Sequence, residues 1–90
     1  MTRLGLFGFR MPYFEFLWTD DNINHIAEHD VTTDEFEHVV SHPERRDVSH
    51  SSALPCCWGT TQEGRFLFCV YEKIDDLTIY PVTAYEPNKE

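Results

Sequence analysis

The sequence predicts a small single α+β domain. A helical hairpin near the N-terminus packs on one face of an antiparallel sheet of about four strands, in the order β-α-α-β-β-β. Three observations predict it. Two short segments carry apolar residues at helical spacing behind helix-start signals, and the final third of the chain alternates or saturates apolar residues in strand-length runs. Turn residues separate these runs at hairpin intervals.

In chain order, residues 13–18 (Tyr-Phe-Glu-Phe-Leu-Trp) alternate Phe14, Phe16 and Trp18 onto one side and read as a strand. Thr19 or Asp20 is placed to cap the first helix, expected over about 20–29, with acids where the helix dipole favours them. Its apolar stripe reads as Ile23, Ile26 and Ala27. Thr32-Thr-Asp-Glu35 is a capping box that opens a second helix, which Pro43 must stop. Its stripe is Phe36, Val39 and Val40, and Val31 is positioned to staple against Phe36.

Strands are expected through 47–52 and 56–60. Glu63-Gly64 signals a hairpin turn. The run from Arg65 to Glu72 is apolar on both faces, as a central strand should be. Asp75-Asp76 turns the chain into a last strand over 77–85. Pro81 has no N–H to give a ladder, so that strand lies at an edge or carries a bulge. The expected organisation is a loosely ordered extension over 1–11, one domain over 12–86 and a tail over 87–90. Met11 is an alternative start of translation.

Composition limits the function classes. Ninety residues make one domain, and 41% hydrophobic with 26% charged side chains is ordinary for a globular chain. Seven basic against sixteen acidic side chains give a net charge of −9. Such a surface repels phosphate backbones at long range and suits a basic protein partner. Three cysteines, two of them adjacent at Cys56 and Cys57, are a poor disulfide framework and point to a reducing cytoplasm. No apolar run reaches the ~18 residues that span a bilayer, so neither membrane insertion nor a signal peptide is expected.

The histidines are the first candidates for chemistry. His25/His29 and His38/His42 are i,i+4 pairs, a spacing that can share a metal. His25 and His38 point away from the apolar stripes and no H-E-x-x-H occurs, so no metal site is expected. His29 closes the first helix beside its stripe and is the candidate general acid or base. Arg65 follows a glycine turn, and its fork of donors suits a phosphate. Arg45, Arg46 and His50 could form a local basic patch. Each has a plainer reading: a rim histidine bonding a carbonyl, a strand-end arginine pairing with an acid, a solvated loop. Trp18 or Trp58 could stack on a base.

The order of these motifs resembles the BrnT branch of the RelE-like toxins. The similar elements are Phe16-Leu-Trp18, the turn His29-Asp30-Val31 where relatives carry His-Gly-Val, the Glu-rich second helix, the Gly59-to-Arg65 turn, and Thr83-Ala84-Tyr85 where relatives carry Ser/Thr-Ala-Arg. The resemblance covers about residues 13–86. It implies a RelE-like fold, metal-independent RNA cleavage without a cofactor, and neutralisation by an antitoxin. Trp18, His29 and Arg65 stand at matching positions. Glu28 replaces a lysine and Tyr85 replaces an arginine, so Tyr85 becomes the candidate proton carrier at that place. The alternative is a non-catalytic acidic interaction module that binds a basic protein or forms a homodimer through its edge strand.

Overall fold

The computed structural model describes residues 14–87. The expected extension over 1–11 lies outside the described residues, as does most of the tail. The elements are β1 (Glu15–Phe16), α1 (Asp20–Ala27), α2 (Thr33–Ser41), β2 (Arg45–Val48), β3 (Pro55–Thr60), β4 (Phe66–Lys73) and β5 (Thr78–Tyr85). The described strands form one five-stranded sheet in the order β1-β5-β4-β3-β2, with β4 central. No described helix is long and apolar enough to cross a membrane.

Two expectations for the sheet change here. The sheet is mixed: β2 to β5 form the expected antiparallel meander, but β1 pairs parallel to β5. Pairing between the first and last strands is a tertiary choice that neither strand's own residues encode. The strand expected over 47–52 is instead Arg45–Val48, because the chain turns through Ser49–Ser52 and closes with Ser49 N–H donating to the Leu54 carbonyl.

Both helix starts follow their local chemistry. Thr19 accepts from the Asn22 backbone N–H while the Asn22 side chain accepts from Thr19 N–H. Thr32 and Glu35 make the same reciprocal exchange. Helix α1 ends at Ala27 rather than at the expected His29, because the chain leaves it through a tight turn in which Val31 N–H bonds the Ile26 carbonyl and Asp30 N–H the Ala27 carbonyl. Asp30 takes φ 61 there, a left-handed conformation that Asp tolerates better than most residues.

Phe36, Val39 and Val40 of α2 are all buried, as their spacing requires. The stripe of α1 is displaced. Ile26 is buried, but Ile23 is 37% exposed, Ala27 is exposed as well, and Asn22 takes the inward place instead. The cause is backbone accounting. Among the described residues the β5 edge beyond Ile79 has no strand partner on the β1 side, and Asn22 Nδ2 donates to the carbonyls of Pro81 and Leu17. Helix α1 thus stands in for a strand along that edge. Pro81 lies at the bulge, where Tyr71 opposes Pro81 and Val70 opposes Thr83, leaving Val82 unmatched.

The core lies between the helices and one sheet face: Ile26, Val31, Phe36, Val39 and Val40 against Cys57, Leu67, Cys69, Tyr71, Ile79 and Ala84. Phe14, Phe16 and Trp18 close one side. Gly59 lets α2 approach β3, since a Cβ there would meet Val39 Cγ1 at 3.1 Å. Gly64 takes φ +93 in the β3–β4 turn.

The β4–β5 turn is organised by Asp75, whose Oδ1 accepts from Leu77 and Thr78 N–H at 3.0 and 2.8 Å. The Leu77 backbone bond, then Thr78, hold its carboxyl below its ordinary value. A depressed folded value means that this stabilisation is complete above the unfolded value, about 4. It is lost as pH falls through the lower folded value. Urea denaturation between about pH 5 and 2 is expected to show a shallower fall in stability for Asp75→Asn than for the natural protein.

Candidate functional site

Four strands place one residue each in a single cross-strand row on the sheet face opposite the helices. Arg45 opposes Trp58, Trp58 opposes Phe68, and Phe68 opposes Tyr85. Strand alternation decides the face: Cys57, Leu67, Cys69 and Ala84 point into the core, so Trp58, Phe68 and Tyr85 point out. Their rings are in contact. The Arg45 guanidinium lies 5.1 Å from the Trp58 ring centre, Trp58 and Phe68 are 4.9 Å apart, and Phe68 and Tyr85 are 5.3 Å apart.

His29 continues this row. The turn through Asp30 brings its ring to 5.9 Å from Tyr85 and 5.9 Å from His25. His25 in turn bonds the Thr83 hydroxyl at 3.1 Å. Two of the three residues expected to carry catalysis, His29 and Tyr85, are therefore neighbours. They come from opposite ends of the domain.

Arg65 sits at the same end but faces the helix side. Nη1 donates to both Glu35 carboxylate oxygens at 2.9 Å and to the Asp30 carbonyl at 2.8 Å. Nε and Nη2 donate to Glu86 Oε1 at 3.3 and 3.0 Å. Burial alone would lower this guanidinium, but the bonds and charges of Glu86 and Glu35 outweigh it and push it up. All three guanidinium nitrogens are engaged, and two carboxylates outweigh one cation. The arginine clamps the α2 start, the α1–α2 link and the end of β5 together. Its contacts are with Asp30 and Glu86, the chain neighbours of His29 and Tyr85, so it braces the pair from behind.

The remaining expected site residues are scattered. Trp18 packs on Phe36 at 5.4 Å and donates its indole N–H to Glu37 at 2.7 Å, on the helix side. Arg45 and Arg46 alternate across β2: one lies over Trp58, while the other opposes Cys57. They do not make one patch, and His50 is exposed in the turn beyond β2. The ion pair of Arg45 with Asp47 is long, 3.8 Å, and well exposed.

The four helix histidines divide by environment. His38 and His42 stack at 4.8 Å, and His42 Nδ1 lies 3.1 Å from the His38 carbonyl. The three cysteines are free and buried. Cys57 opposes Cys69 across β3 and β4, and the thiol contact with Cys57, together with burial, pushes Cys69 well up. The same contact holds Cys57 below its ordinary value, and all three thiols are packed inside the fold.

Phe68 was not among the expected site residues. Within its strand it reads as one apolar residue of many. Only the register with Trp58 and Tyr85 gives it a place in the row. Glu35 and Glu86, the partners of Arg65, were hidden for the same reason. Comparison with protein-family models, with curated proteins and with solved structures finds no match for the chain.

Proposed function

We propose that this protein is a toxin-like RNA endonuclease of the type II toxin–antitoxin kind, acting in the cytoplasm through His29 and Tyr85 without metal or cofactor. The ring contact between those two groups, at the end of the outward row, carries the reading. In this mechanism His29 takes the proton of a 2′-hydroxyl as that oxygen attacks the adjacent phosphorus. The bond from phosphorus to the 5′ oxygen breaks, and Tyr85 gives its phenolic proton to the leaving oxygen. The products are a 2′,3′-cyclic phosphate end and a 5′-hydroxyl end. Arg65 acts as a positioning residue rather than as the phosphate ligand that its sequence position suggested, because its donors are committed to carboxylates.

General acid–base chemistry of this type contributes roughly 100- to 10,000-fold to rate. Purified protein incubated with RNA is expected to cleave it. His29→Ala and Tyr85→Phe should each slow cleavage about 100-fold or more while melting close to the natural protein. An intact RNA substrate, or cleavage that survives both substitutions, removes the reading.

A second reading is favoured by a different observation, the two carboxylates that overbalance Arg65. It is a non-catalytic module whose acidic helix starts, Asp20, Asp21 and Asp34, bind a basic protein such as an antitoxin. Homodimer formation through β2 is opposed by the edge itself. Val48 N–H is taken by Asp47 Oδ1 at 2.7 Å, and both arginines are exposed there. Capture of a basic partner by a protein that leaves RNA intact would favour this second reading.

A further inference from the structure

We infer that the outward row is a stacking track for single-stranded RNA, with bases lying on Trp58, Phe68 and Tyr85 and a phosphate held by Arg45. The inference rests on the RNA-directed reading above and specifies how the strand is held. Three contiguous half-buried aromatic rings on the sheet face opposite the helices offer their exposed π-surface to about two or three unpaired bases, beside Cys56 and Val70, which are buried on that face. The row is open on one side, with Phe66 38% exposed next to it. A shallow depression lined by Glu44, Arg45, Trp58 and Phe66 continues it at the Arg45 end. The Arg45 side chain is 70% exposed, and its 3.8 Å pair with Asp47 is too loose and too wet to hold it against a phosphate.

Charge selects the mode of binding. A net charge of −9 opposes a footprint built from many phosphate contacts. Stacking does not depend on such a footprint, because every base has a π-face. The row also ends in the right place: at its far end from Arg45 it runs through Tyr85 onto His29, so a strand lying along it delivers a phosphodiester to the acid–base pair. An extended peptide would use the β2 edge instead, and there the Val48 N–H is already occupied.

The test is fluorescence anisotropy of a labelled eight-nucleotide single-stranded RNA with the full chain. Saturable binding is expected, with a shallow dependence on salt. One phosphate contact gives a slope of about −0.7 in log affinity against log salt. Trp58→Leu should weaken binding roughly ten-fold. Arg45→Gln should weaken it less and flatten the salt dependence; being exposed, it leaves folding intact and keeps the inference testable if Trp58→Leu misfolds. A duplex of the same sequence should bind more weakly.

No saturable binding of the single strand overturns the inference. So does full affinity in folded Trp58→Leu, a salt slope of several phosphates, or a preference for duplex. A protein partner that depends on Trp58, with no RNA binding, assigns the face to protein instead and equally overturns it. Trp58-dependent binding without cleavage supports the track while removing the nuclease. Cleavage by Trp58→Leu at unchanged KM does the reverse.

Discussion

Phe36→Ala is expected to remove about 3–5 kcal/mol of folding stability, the cost usual for emptying a buried aromatic site. A domain of this size holds roughly 5–15 kcal/mol at most and belongs at the low end of that range. The variant should therefore be partly unfolded at room temperature. Phe36 is fully buried and sits where three elements meet. Its ring makes edge contacts with Phe16 at 6.3 Å and with Trp18 at 5.4 Å, so it joins α2 to β1 and to the segment entering α1. Little around it can collapse into the space, because both neighbours are tethered: β1 by its bonds to β5, and Trp18 by Glu37. Urea denaturation followed by circular dichroism measures the loss. Phe36→Leu is the graded control and should cost about 1–1.5 kcal/mol. A loss below about 1.5 kcal/mol for the alanine variant would show that the helix hairpin does not dock through this residue.

Arg65→Ala is expected to cost about 2–3 kcal/mol and to lower the melting temperature by roughly 10–20 °C. A surface ion pair would be worth under about 1 kcal/mol, and a fully buried one left half-empty would cost about 3–5. Arg65 lies between these limits: its side chain is 27% exposed, and those of Glu35 and Glu86 are 16% and 23% exposed. Removing it leaves two carboxylates facing each other and orphans the Asp30 carbonyl. Arg65→Lys keeps the charge but not the fork, and should recover only part of the loss. A second substitution, Glu35→Gln, should restore stability to Arg65→Ala, since it removes one of the stranded charges. The measurement separates two roles. A catalytic arginine would leave melting unchanged and abolish cleavage. A clamp lowers melting first, and the cleavage proposed for His29 and Tyr85 would fall only as they lose their brace.

The local elements of this fold were legible because each is encoded by residues close in sequence. Thr32 and Glu35 announce a helix start three residues apart, and Pro43 announces its end. Gly64 marks a turn whose φ of +93 other residues rarely adopt. The apolar spacing of Phe36, Val39 and Val40 gave the buried face of α2 correctly. For α1 the same reasoning chose Ile23, which is partly exposed. Periodicity assumes that a helix buries its apolar residues against a flat layer, whereas α1 lies beside an edge with carbonyls to satisfy. Asn22 meets that need better than a hydrocarbon side chain could.

The candidate site was half legible. His29 and Tyr85 could each be named from type and position, and they meet in the fold. Arg65 was read either as a phosphate ligand or as a strand-end arginine pairing with an acid; the fold shows the pairing, and which acids surround it could not be read from the sequence. Glu35 lies thirty residues before it and Glu86 twenty-one after it.

The sequence by itself determined both helix starts, the stop of α2 before Pro43, the turns at Gly64 and Asp75, the antiparallel run of the last strands and the sign of the surface charge. All of these follow from conformational preferences and periodicities that act within a few residues. Only the tertiary structure decided that β1 runs parallel to β5, that Arg65 is spent on two carboxylates, and that Arg45, Trp58, Phe68, Tyr85 and His29 share one row. These depend on strand register, and shifting a strand by one residue would send every side chain in that row to the other face.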